Sequence, residues 1–194
     1  MIEANKREFL AAAVSSVLVS MTGAGDAVAE TATGPANVTS RPITLDHIRI
    51  TCRRSFEQVR AALQTDLPKF DPGMLDALAA GDEAKVKEYE RGAALFNFLE
   101  RHPGDLLAIA GRKRKALQYE IGNAHTATKM TRFDLRAALY VPLRVVLFET
   151  ESGETVFEYD RPSSLVGQFG DPRVTEVGLH LDRELESVLL KAAG

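Results

Sequence analysis

Tyr119, Asn123, His125, Tyr159 and Arg161 are the side chains whose types suit a binding site, and three of them share one short stretch, QYEIGNAHT, residues 118–126. A Gly-Asn pair after a strand offers the positive φ of a sharp turn, and the Asn123 side-chain oxygen suits the cap of a following helix. A structural turn is the favoured reading. The alternative is a pocket in which Asn123, His125 and Thr126 sit at a helix start, where free N–H groups favour an anion. Tyr159 belongs to a second group, EYDRPSS, residues 158–164. There Asp160 and Arg161 are neighbours in a strand, point to opposite faces and do not simply pair.

Catalytic chemistry finds little else to stand on. Ser163 and Ser164 lack the G-x-S-x-G setting of a nucleophile elbow. The other histidines, His47, His102 and His180, are scattered, with no H-x-x-x-H or H-E-x-x-H spacing, so no metal site is expected. Cys52 is the single cysteine, which excludes an internal disulfide and a structural zinc site. GRKRK, residues 111–115, clusters four cations, enough to hold phosphate or nucleic acid if aromatic partners lay nearby. None flanks it, so a solvated turn that discourages edge pairing is expected and no nucleic-acid partner is. The formal net charge of -3 supplies no overall field for a polyanion, so any such partner must be read by a local patch.

The elements that must position these residues start at Ile43. HIRITCR, residues 47–53, alternates as a half-buried strand, with Cys52 as a core filler. Ser55 and Gln58 form a capping box for a helix running to about Leu67, where Pro68 ends it. Residues 72–102 are read as a helical insert with apolar positions at Ala94, Leu95, Phe98 and Leu99. LLAIA and ALQYEIGN then read as two strands around the basic turn. A helix follows over residues 126–140. LRVVLFETESGETVFEYD is a hairpin turning at Ser152-Gly153, and Asp171-Pro172 opens a closing helix with a stripe at Val174, Val177, Leu181, Leu185 and Val188. The order is β-α-(helical insert)-β-β-α-β-β-α. The fold class is α+β, a mostly antiparallel sheet with helices on one face.

Residues 1–29 read as an export signal: Lys6-Arg7, an apolar run from Phe9 to Met21, and Ala27-Val28-Ala29 as an A-x-A cleavage motif. Cleavage is expected after Ala29, which places the protein in the periplasm or outside the cell. NKREFL resembles a twin-arginine signal with Lys6 for the first arginine; that route is favoured over the general secretory one. The run falls short of the ~20 residues of a bilayer crossing and is diluted by serines, so no permanent membrane span is expected. Residues 30–42, rich in Gly, Ala, Thr and Pro, read as a flexible linker, and residues 43–194 as one domain.

QYEIGNAHTATKMTRFDLRAALYVPLRVVLFE, FEYDRPSSLVGQFGD and the closing helix together resemble the bacterial domain-of-unknown-function family 302. The resemblance covers most of residues 43–190 and implies an α+β fold of TATA-binding-protein-like arrangement, often dimeric, with no assigned activity. Such a fold likeness implies nothing about DNA. The chain departs from the family pattern in having Ala124 where a proline usually follows Gly-Asn. It also has Ala110 and Gly111 where many members carry an Asp-His pair, so His125 is no positional replacement for that histidine.

The sequence therefore points to an exported, non-catalytic domain that binds a small, partly apolar molecule or a protein partner, with a homodimer as one form. The ligand-binding candidates are Tyr119, Asn123, His125, Tyr159 and Arg161. The alternative is a haem-type cofactor carrier or a hydrolytic enzyme using Tyr119, Asn123, His125 and Tyr159.

Overall fold

The computed structural model describes residues 29–33 and 36–194, which fall into two units, residues 1–42 and residues 43–194. Residues 1–28, all of the expected leader but Ala29, lie outside the described residues. In the first unit the segment expected to be a linker carries two strands, β1 (Ala29–Thr33) and β2 (Ala36–Ser40), paired antiparallel with Ala29 opposite Ser40.

The second unit is organised by a five-stranded antiparallel sheet, order β3-β7-β6-β5-β4, built from β3 (His47–Thr51), β4 (Phe96–Arg101), β5 (Ala116–Gly122), β6 (Leu143–Glu149) and β7 (Thr155–Asp160). Seven helices accompany it: α1 (Phe56–Asp66), α2 (Gly73–Ala80), α3 (Glu83–Tyr89), α4 (Pro103–Leu106), α5 (Ala124–Thr131), α6 (Pro162–Val166) and α7 (Pro172–Ala193). Strand alternation divides the sheet. Leu117, Tyr119 and Ile121 of β5, Leu143, Val145 and Leu147 of β6, and Phe157 and Tyr159 of β7 point into one core with Phe56, Val59 and Leu63 of α1, Met130 of α5 and Leu181, Leu185 and Leu189 of α7. The fold class is thus α+β, as the pattern predicts.

Local chemistry explains the helix starts. Ser55 and Gln58 form the expected capping box on α1, and Asp171 accepts the Arg173 N–H at the start of α7, where Pro172 occupies the first helical position. Buried Asp182 of α7 accepts the Ser163 N–H at 2.8 Å and so caps α6 from a neighbouring helix. There the two helices meet closely: a Cβ on Gly178 would come within 2.7 Å of Val166 Cγ2 and 2.9 Å of Ser163 Cα.

Three elements differ from the sequence reading. Residues 96–101, read as the end of a helical insert, form β4, because a bulge between Asn97 and Leu99 breaks the alternation and leaves apolar residues at helix-like spacing. The insert proper is α2 and α3, residues 73–89. LLAIA is no strand: Pro103 opens α4, and residues 107–110 continue as a 3-10 turn with Leu106 and Ile109 exposed. The helix read over residues 126–140 is α5 followed by a separate 3-10 turn, Leu135–Tyr140, started by the Asp134 side chain on the Arg136 N–H.

Candidate functional site

The end of β5 and the start of α5 carry the candidate residues Asn123 and His125. Asn123 is extended, with φ -142, and Gly122 is not among the positive-φ glycines, so the Gly-Asn pair does not make the left-handed turn its composition suggests. Its role is different. Asn123 Oδ1 accepts the Thr126 N–H at 3.1 Å, the expected helix cap, while Asn123 Nδ2 donates to Glu90 Oε1 at 2.9 Å and to the Ala94 carbonyl at 3.2 Å. One buried amide therefore ties the start of α5 to the loop after α3.

His125 joins the same group, its Nδ1 lying 3.2 Å from both Glu90 oxygens. Burial of Glu90 opposes its ionisation, but the hydrogen bonds from Asn123 and His125 outweigh that cost and hold its carboxyl below the usual range. The electrostatic consequence is specific. The start of α5, which the sequence offers to an outside anion, already faces a carboxylate of the chain itself.

Beside this cluster lies a cavity of about 250 Å³ lined by Leu75, Phe98, Gly122, Ala127, Pro142 and Leu181, among others, with Asn123 as its polar wall. Gly122 matters here through size. A Cβ on it would sit 3.6 Å from Pro142 Cα and 3.7 Å from Phe98 Cε2, ordinary contact, whereas a larger side chain would occupy the cavity. A second hollow of about 180 Å³ lies behind His125, against Ala77, Leu78, Val86 and Lys87. An engineered apolar cavity of ~150 Å³ accepts benzene, so the larger cavity has room for a molecule somewhat bigger than one ring.

The structure brings together Asn123 and His125 but not the other candidates. Tyr119 and Tyr159 point into the core from β5 and β7 with β6 between them, and neither lines the two cavities just described. Both rings are buried. Burial pushes the Tyr159 hydroxyl up to about 12 and raises that of Tyr119 further, so neither ionises near neutral pH to act as a base. The Tyr119 hydroxyl has no hydrogen-bond partner, nor does Nε of Arg60, whose Nη2 binds Glu100 at 2.9 Å. Arg161 follows β7, at the same end of the sheet as Gly122 but two strands away: its N–H donates to the Asp46 carbonyl at 2.8 Å, and its Nε lies 3.5 Å from the Asp46 carboxylate. Asp160 pairs instead with His47 Nδ1 at 2.8 Å, in keeping with opposite directions for the two neighbours.

Glu90 is the residue the sequence reading missed. It lies in a charged run, EAKVKEYER, whose other charged side chains are exposed, and nothing in its spacing to Asn123, 33 positions on, signals the contact. Among the described residues no group of three or more His, Cys, Asp or Glu side chains is gathered as metal ligands, and no helix is long and apolar enough to cross a membrane.

A five-stranded antiparallel sheet with helices over one face and an apolar cavity at a strand-to-helix junction defines an α+β protein with a small-molecule-sized hollow. The model of the family "Domain of unknown function DUF302" matches residues 83–192, and the chain belongs to that family. The match runs from α3 to α7; β3 and α1, which complete the sheet and core, precede it. The fold is similar to that in the "Crystal structure of uncharacterized conserved protein DUF302 from Bacillus stearothermophilus", with a TM-score of 0.54 and 15% identity over 76% of this chain and 98% of that one. No curated protein matches the chain.

Proposed function

We propose that the chain is an exported ligand-binding domain whose site is the cavity at the start of α5. The observation that carries this reading is the hollow itself, with Leu75, Phe98, Pro142 and Leu181 as apolar walls and the Asn123 amide to fix orientation. Because Glu90 places a carboxylate at that helix start, the ligand is an uncharged, largely apolar molecule rather than an anion. Ligand pockets for drug-sized molecules run ~300–1,000 Å³, so a molecule at or below the small end of that range fits, and a haem does not.

Export rests on Lys6-Arg7, the apolar run after it and the A-x-A at residues 27–29; the homodimer and the TATA-binding-protein-like kinship rest on the family resemblance alone. A hydrolytic role keeps one supporting feature, the half-buried Glu90–His125 pair beside its own hollow, with Glu90 placed to orient the imidazole.

Titration of the protein with indole, followed by two-dimensional NMR, tests the binding reading. Saturable shifts around Gly122, Ala127 and Leu181, lost in Gly122→Leu, are expected; dispersed, non-saturating shifts would refute it. Native mass spectrometry of protein from its own cell envelope reports the subunit count, any retained small molecule and, through the mass, cleavage after Ala29.

A further inference from the structure

The loop from α4 to β5 sets apolar and basic side chains side by side at the surface. Leu106 is 74% and Ile109 96% exposed, a degree of exposure that no packing within this unit explains. Gly111, with φ 66, reverses the chain so that the Arg112 N–H returns to the Leu107 carbonyl at 3.1 Å. Four consecutive cations, Arg112 to Lys115, follow directly. Beneath them runs a groove of about 540 Å³ floored by Val146 and Phe148 and walled by Leu107, Arg112, Arg114 and Lys115. Nearby acids neutralise only half of the run. Arg114 meets Glu151 at 3.3 Å and Lys115 meets Glu149 at 3.2 Å, whereas Arg112 and Lys113 have no acidic partner among the described residues. Asp105 points to His102 at 3.5 Å.

A solvated turn needs cations but not an Ile exposed almost completely, and a protein-binding groove needs apolar walls but not a protruding apolar tip. An interfacial anchor needs both: apolar side chains that enter the acyl boundary and Lys or Arg at headgroup level. We propose that residues 106–115 dock the protein on an anionic bilayer surface, Leu106 and Ile109 entering the interface while Arg112, Lys113 and Arg114 meet the phosphates. Local charge must act alone here, because the chain as a whole is acidic at -3 and is repelled at longer range. The site is separate from the cavity at α5 and does not depend on what that cavity holds.

The test is co-sedimentation of the full chain with phosphatidylcholine vesicles carrying no charge or roughly a third phosphatidylglycerol. The expected result is binding to the anionic vesicles only, weakened at least about tenfold by Arg112→Glu with Lys113→Glu, at roughly one order of magnitude per one to two basic contacts, and relieved by salt. Ile109→Asp, at a position too exposed to affect folding, is expected to weaken it as well. Equal binding to both vesicle types overturns the proposal. So does anionic binding that survives both sets of substitutions, which would belong to another part of the chain, the apolar run of residues 9–21 included. Failure to bind vesicles, with retention of an acidic peptide in a salt-sensitive manner, also overturns it and makes the loop a protein-docking site.

Discussion

Leu117, Tyr119 and Ile121 on one face of β5 are buried under helices, while Gln118 and Glu120 on the other stay outside the core. The same division runs along β6, where Val145 and Leu147 are buried and Arg144 is exposed. One face is fastened by close-packed apolar contact. The other is laced by side-chain pairs, Arg49 with Glu158, Arg101 with Glu120 and His47 with Asp160, all partly exposed to water. The covered face therefore specifies the fold, and the open face is free to present charge and the groove below residues 106–115.

The sharpest way to break this contrast is to delete the same kind of bulk from adjacent residues of one strand. Leu147→Ala, at a position with no exposure, is expected to cost about 2–5 kcal/mol in chemical denaturation, whereas Val146→Ala on the open face should cost roughly 1 kcal/mol or less. Equal losses would mean that the open face is itself covered in solution.

A smaller effect is expected at the junction between the sheet and α5. Asn123→Ala removes the helix cap and a donor to Glu90, and should cost about 1–2 kcal/mol. The pH dependence carries the diagnostic sign. Glu90 has a folded value below its unfolded one, so its contribution is present above the unfolded value near 4.5 and is lost as pH falls through the folded value. The variant should lose this part of the acid limb, and NMR titration should show the Glu90 carboxyl moving up. An unchanged acid limb would place the Asn123 amide outside the electrostatics of Glu90.

The open face should give the smallest changes. Arg49→Ala is expected to cost under about 1 kcal/mol, since Glu158 keeps water and His47 nearby. His47 has its value raised, first by the hydrogen bond to Asp160, so its contribution is full below its unfolded value and fades as pH rises through the folded one. His47→Asn should flatten only that shallow slope in the neutral range. A loss on the scale of Leu147→Ala from either change would dissolve the distinction between the two faces.

Much of the site was visible in sequence, but only as separate parts. Asn123 as a helix cap follows from its place between the strand of Leu117, Tyr119 and Ile121 and the helical spacing after it. The tyrosines misled, because a phenol ring reads equally well as a rim or as core, and burial is decided by which face of the strand it occupies. Glu90 was out of reach: it meets Asn123 only because α2 and α3 fold back across the end of the sheet. Phe98 was legible as apolar, but its place in β4, at a bulge, was not.

What the sequence determined alone is local and periodic: the capping box of α1, the hairpin between β6 and β7 with Gly153 at φ 86, the Asp171-Pro172 start of α7 and the α+β class. Each depends on residues a few positions apart, whose spacing sets backbone geometry directly. The tertiary structure alone decided that 96–101 is an edge strand, that the apolar run after Pro103 stays exposed beside four cations, and that a carboxylate of the chain meets the start of α5. Those outcomes depend on which distant segment supplies the missing contact, and burial and charge pairing between segments far apart along the chain leave no period to read.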